Sequence, residues 1–294
     1  MPPVINTIGL SKHYGKQRAL HDLNLEVHAG EVLGYLGPNG AGKTTTIRLL
    51  LGLISPTAGS ATIFGLDVHR DAPEVHRHLA YVPGDPNLWP GLTGKQTLAL
   101  LGRTHGAFDE NYRDLLIKRF DFDPSKKVRS YSKGNRQKLN LIAALMTRAE
   151  LLILDEPTSG LDPLMEQRFR ESIEEAKQNG QTVFLSSHIL SEVEALCDRV
   201  AILRDGELLE IGTLAEMRHL AAVEVEATFD GPPPDVSNIP GVSAPVVEGN
   251  RLRCHVTGSI QPLLSVLAAS GVRELLSAEP SLEELFLSHY GSDV

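Results

Sequence analysis

The stretch GPNGAGKTT, residues 37–45, decides how this chain is read. Gly37, Gly42, Lys43 and Thr44 stand in the spacing of a phosphate-binding loop. A phosphate chain needs backbone N–H groups brought close, which glycine allows because no Cβ intervenes. Lys43 supplies a positive charge and Thr44 a hydroxyl for magnesium. Just before the loop, EVLGYLG (31–37) has the composition of an apolar strand; just after it, TTTIRLLLGL (44–53) reads as a helix. The loop therefore opens a helix, whose N-terminus adds its dipole to the site. The alternative, a structural glycine turn, does not require that strand-to-helix setting.

Farther out, LLILDEP (151–157) and TVFLSSH (182–188) are continuous apolar runs, the mark of parallel strands covered on both faces. Between them PLMEQRFRESIEEAKQNG (163–180) is an amphipathic helix opened by Pro163 and stopped at Asn179-Gly180. VAILRDGELLEIG (200–212) reads as a hairpin about Asp205-Gly206. LLILDE ends in two carboxylates. In a phosphate-binding-loop fold Asp155 is expected to hold magnesium through water and Glu156 to polarise the attacking water; two solvated acids at a strand end are the plainer alternative.

With these elements in place the chain resembles the ATP-binding cassette (ABC) family over residues 4 to about 219. The resemblance implies ATP and Mg2+, with Gly37, Pro38, Asn39, Gly40, Ala41, Gly42, Lys43, Thr44 and Thr45 around the phosphates. It also implies an α/β fold: a RecA-like core with an antiparallel β subdomain and a helical insert over about 85–150. Tyr14, in SKHYG, matches the family's adenine-stacking aromatic. SGLD (159–162) matches the D-loop, with Asp162 at a dimer interface, and His188 matches the histidine that contacts the γ-phosphate.

Two motifs depart from the family. Its LSGGQ signature is YSKGN (131–135) here: Ser132 and Gly134 are kept, while Tyr131, Lys133 and Asn135 replace the other three. Between Asp123 and Glu150 there is no acid but there are seven basic residues, Lys126, Lys127, Arg129, Lys133, Arg136, Lys138 and Arg148. Lys133 or Arg136 is expected to attract the triphosphate held by a second copy; a solvated helical face is the bland reading. The strand LAYVP (79–83) is followed by Gly84 and Asp85 rather than by the Q-loop glutamine. Asp85 is a candidate oxygen ligand on the magnesium side.

Net charge is −9, which argues against a nucleic-acid partner. Two distant cysteines, Cys197 and Cys254, suit a reducing compartment. The N-terminal residues show no signal peptide, and apolar runs such as LIAALM (141–146) fall far short of the roughly 18 residues a membrane span needs. Any membrane link is then expected through a partner, and the resemblance implies a separate transmembrane permease subunit with a second ATP-binding subunit, as a homodimer, on the cytoplasmic face. GDPNLWPGLTG, YSKGNRQK and EPSLEELFLSHYG are similar to cassettes of bacterial drug, antibiotic or lipid exporters. Residues 1–219 are read as the ATPase and 220–294 as a small α+β accessory domain, with helices at 260–271 and 281–291. A soluble ABC ATPase outside transport and a low-turnover nucleotide-dependent regulator stay open as alternatives.

Overall fold

The computed structural model describes residues 2–106, 108–220 and 223–278; the helix expected at 281–291 lies outside them. The chain divides between Ile211 and Gly212 into two compact units.

At the start of the first unit, β1 (Ile5–Tyr14) and β2 (Gln17–Val27) pair antiparallel. They form a four-stranded sheet with β4 (Ala58–Ile63) and β5 (Leu66–Asp67), ordered β2-β1-β4-β5. The second sheet comprises β3 (Val32–Leu36), β6 (Leu79–Val82), β7 (Leu151–Asp155), β8 (Thr182–Ser187), β9 (Arg199–Arg204) and β10 (Glu207–Thr213). Its order is β10-β9-β3-β8-β7-β6. β3 runs parallel to β8 and β9, and β7 parallel to β6 and β8. Every residue of β3, β7 and β8 is buried, as unbroken apolar runs require. Asp205 and Gly206 both take positive φ, 49° and 82°, between β9 and β10, the backbone of a tight two-residue hairpin turn.

α1 (Lys43–Leu50) packs between the two sheets: Ile47 and Leu50 join Leu10, Leu23, Tyr35, Ile153 and Phe184 in one buried cluster. Each large side chain so buried contributes roughly 1.5–3 kcal/mol. The Tyr35 hydroxyl meets Thr46 Oγ1 at 3.1 Å, which ties α1 to β3, and burial raises its pKa well above the ordinary tyrosine value. The start of α1, where Lys43 sits, is thus held from within.

α2 (Ala72–His78) precedes β6, and the expected helical insert follows it as α3 (Gly94–Thr104), α4 (Glu110–Arg119) and α5 (Lys133–Leu145). Each has a side-chain cap. Thr93 Oγ1 accepts from Gln96 N while Gln96 Oε1 accepts from Thr93 N; Asp109 caps α4 and Ser132 caps α5. α6 (Pro163–Gln178) and the short α7 (Leu190–Leu196) flank β8, and α8 (Leu214–Leu220) follows β10.

In the second unit β11 (Val223–Phe229), β12 (Val242–Glu248), β13 (Arg251–Val256) and β14 (Val272–Ala278) form an antiparallel sheet ordered β12-β13-β11-β14. Leu263 and Leu267 of α9 (Gln261–Ala269) join Val225, Phe229, Leu252 and Cys254 in its own small core.

Candidate functional site

The loop before α1 is bent at Gly42, whose φ is 110° and where a Cβ would stand 2.5 Å from the Ala19 carbonyl oxygen. Only glycine fits there. The amides of Lys43, Thr44 and Thr45 precede the first intrahelical bond, which Thr46 N makes to Gly42 O at 2.9 Å, so they are the helix's unpaired N-terminal donors. Lys43 is buried; its Nζ donates to the carbonyls of Gly37 at 2.7 Å and Pro38 at 3.1 Å and lies 3.4 Å from Glu156 Oε1.

β7 delivers the two acids. Asp155 is buried; its Oδ2 accepts from Thr44 Oγ1 at 3.1 Å and its Oδ1 from Ser186 Oγ at 2.6 Å. Glu156 takes φ 45°, a left-handed backbone that costs a non-glycine residue of order 1–3 kcal/mol. Its N–H donates to Ser186 O and to Ser186 Oγ, each at 3.1 Å. That strained turn aims the carboxylate at Lys43 and at His188, whose Nδ1 lies 3.3 Å from Glu156 Oε1. One carboxylate oxygen is therefore shared by a lysine at the start of α1 and a histidine just past the end of β8.

A cleft of about 330 Å³ runs from Tyr14 along Asn39 and Gly40 to Lys43, Thr44, Thr45 and Glu156. Tyr14 is 47% exposed, so it is not a core tyrosine. Arg18 also lines this cleft; the sequence carries no signal for it.

The YSKGN turn lies against the SGLD loop of the same chain. A Cβ at Gly134 would stand 2.5 Å from Gly160 O, Lys133 Nζ donates to Ser159 Oγ at 2.8 Å, and buried Gln137 donates to Pro157 O at 2.8 Å. Tyr131, in the family's leucine position, is buried beside Phe122 at 5.1 Å and donates its hydroxyl to Asp123 O at 2.6 Å. Tyrosine there fills the same apolar seat and satisfies its polar tip. Asp162 is exposed and caps α6 by accepting from Met165 N at 3.0 Å.

At the Q-loop position, a Cβ on Gly84 would stand 3.1 Å from Asp155 O and 3.7 Å from Glu156 Cβ. Gly84 is thus the residue that abuts the two acids, and Asp85, the next one, is exposed. A second, larger cavity of about 480 Å³ opens behind this strand end, lined by Leu53, Leu88, Trp89, Leu101, Asn140 and Tyr81 among others. Burial and then the charge of Asp155 push the Tyr81 hydroxyl up to about 12. His105, also lining it, is lowered by burial and by His78.

The family profile described as "ABC transporter" matches residues 20–159. The bacitracin transport ATP-binding protein BcrA of Bacillus licheniformis is 42% identical over 71% of this chain and 70% of its own length. The daunorubicin resistance ATP-binding protein DrrA3 of Streptomyces coeruleorubidus is 36% identical over 98% of this chain and 96% of its own. Among solved structures, an ATP-binding subunit of an ABC transporter superposes with a TM-score of 0.69 at 33% identity, covering 73% of this chain and 92% of that one. With its phosphate-binding loop, paired acids and two-sheet cassette, the chain belongs to the ABC transporter ATP-binding family and is an ATPase of that family.

Proposed function

We propose that the chain hydrolyses ATP to power export through a separate membrane-spanning permease, as a pair of copies at the cytoplasmic face of the membrane. The observation that carries this is the convergence of Lys43 and His188 on one oxygen of Glu156, beside the Thr44–Asp155 pair. The relatives' names, bacitracin transport and daunorubicin resistance, support a drug-like cargo.

In this reading Tyr14 stacks on adenine, and the amides of residues 39–45 with Lys43 hold the phosphates. Thr44 and Asp155 offer hard oxygens of the kind magnesium takes, so they are the residues that would hold it; Asp85 is a further candidate. When bound, the ion neutralises phosphate charge. Glu156 accepts a proton from the attacking water while His188 orients that carboxylate and contacts the γ-phosphate. Ser132 and Gly134 of one copy close over the phosphates held by the other, with Asp162 at the seam. ATP then favours the closed pair, and hydrolysis removes the contacts that favour it.

The 480 Å³ cavity supports a docking place for the permease. Trp89 and Leu53 are 50% and 61% exposed at its rim, and a Trp at a concave apolar site is a typical anchor. Among the described residues no helix is long and apolar enough to cross a membrane; in this reading the chain attaches through the permease. The second unit is an accessory that senses or contacts a partner. The test is detergent extraction followed by affinity purification of the tagged chain. A polytopic membrane protein that co-purifies and whose presence stimulates ATP hydrolysis supports the proposal; vigorous hydrolysis with no membrane protein retained contradicts it.

A further inference from the structure

Glu192 has no part in the chemistry described above, yet it is a buried carboxylate, 8% exposed, on the short helix α7. Its Oε1 accepts from the Thr158 hydroxyl and its Oε2 from the Ser187 hydroxyl at 2.8 Å. Both hydroxyls belong to buried residues. Thr158 lies two residues beyond Glu156, and Ser187 immediately precedes His188. The carboxylate thus bridges the two segments that deliver the paired side chains Glu156 and His188.

The bridge has a firm base. α7 sits so close to β3 that a Cβ at Gly34 would stand 2.7 Å from Val193 Cγ1 and 2.8 Å from Cys197 Sγ. Ser187 is held twice, because its Oγ also accepts from Ile189 N at 2.9 Å. A buried carboxylate is costly unless its oxygens are hydrogen-bonded. At this position the bonds that meet that cost are the ones that fix one segment to the other.

We propose that Glu192 is a positioning residue for hydrolysis, holding the segment after Glu156 and the segment before His188 in the register that keeps their side chains 3.3 Å apart. This rests on the roles given to Glu156 and His188 under the proposed function. Nucleotide binding depends on the loop before α1 and on Tyr14, which Glu192 does not touch; its loss acts on turnover through His188.

The test is steady-state ATP hydrolysis by the full chain, with Tm recorded for each variant. Glu192→Gln is expected to lower kcat about tenfold while KM for ATP stays within about twofold. Glu192→Asp is expected to recover part of the loss. In a His188→Ala background, Glu192→Gln is expected to add less than about twofold, because residues acting as one unit are not additive. Should Glu192→Gln fail to fold, Thr158→Val and Ser187→Ala each remove one hydroxyl and must show the same fall in kcat at constant KM. Parental kcat in a folded Glu192→Gln or in both hydroxyl variants, or losses that multiply in the double variant, overturn the positioning role and leave His188's role standing. Parental kcat in His188→Ala alone overturns the assignment of His188 and the positioning role together.

Discussion

Thr44 Oγ1 donates to Asp155 Oδ2 at 3.1 Å, joining the first turn of α1 to the end of β7 across 111 positions of sequence. These two hard oxygens, brought that close, are the pair proposed to hold magnesium. Thr44→Val removes one of them and leaves the buried Asp155 short of a donor. The expected loss is about 1–3 kcal/mol, roughly fivefold to 150-fold in ATP affinity with magnesium present. Titration calorimetry with magnesium and with a chelator checks it, since binding in the chelator should change little.

Glu156 is strained as well as placed. Glu156→Gln should cut turnover at least about a hundredfold while ATP binding persists, as rapid phosphate-release assays will show. Glu156→Gly and Glu156→Ala both delete the carboxylate, but only glycine relaxes at φ 45°. Urea unfolding should find the Gly variant about 1 kcal/mol more stable than the Ala variant.

Lys133 occupies the place of the signature's first glycine and is tethered to Ser159 of its own SGLD loop. Its charge therefore sits beside Ser132, on the surface that is proposed to meet the second copy's phosphates. Lys133→Gly should weaken ATP-driven pairing by about threefold to tenfold and flatten its dependence on salt. Analytical ultracentrifugation at two ionic strengths decides this.

Asp85 is exposed, and Gly84 occupies the close approach to the acids. Asp85→Ala is expected to lower ATP turnover more than ATP affinity. Equal loss of both, or of neither, in parallel kinetic and binding measurements would remove it from the candidate ligands.

His78 Nδ1 lies 2.7 Å from Glu150 Oε1 and its Nε2 lies 3.4 Å from Glu74 Oε1. The Glu150 contact chiefly raises its pKa above the ordinary histidine value. The stability this pair contributes is complete below the unfolded value of about 6.5 and is lost as pH rises through the higher folded value. The lowered pKa of His105 acts with the opposite sign. Comparing variants at matched pH isolates the pair. Glu150→Gln should lower Tm at about pH 6 and leave it nearly unchanged at about pH 8.5, measured by calorimetry.

The inner strands β3, β7 and β8 were legible as nearly unbroken apolar runs, and α6 through its amphipathic pattern between Pro163 and Asn179-Gly180. The short helices α2 and α7, by contrast, carry too few turns to show a period. Lys43, Thr44, Asp155 and Glu156 were legible because phosphate chemistry narrows the choice of residue at fixed spacing. Glu192 was not. It differs from Glu194, two residues on, only in which side of α7 meets the sheet, and one sequence does not carry that information. Strand β14 (VRELLSA) was missed because its charges obscure the alternation, and its place was set by antiparallel pairing with β11. The meaning of Tyr131 needed the third dimension too, since Phe122 and the Asp123 carbonyl give it both its seat and its bond.

The most direct measurement is ATP affinity, with magnesium, of the parent chain and of Lys43→Ala. Lys43 is buried between the Gly37 and Pro38 carbonyls and Glu156, so its ammonium is held at the proposed phosphate site. The expected result is magnesium-dependent binding by the parent and a loss of at least about tenfold in the variant, in line with a charged contact of about 1.5–3 kcal/mol. No ATP affinity in the parent, or equal affinity in Lys43→Ala, would contradict the proposed site.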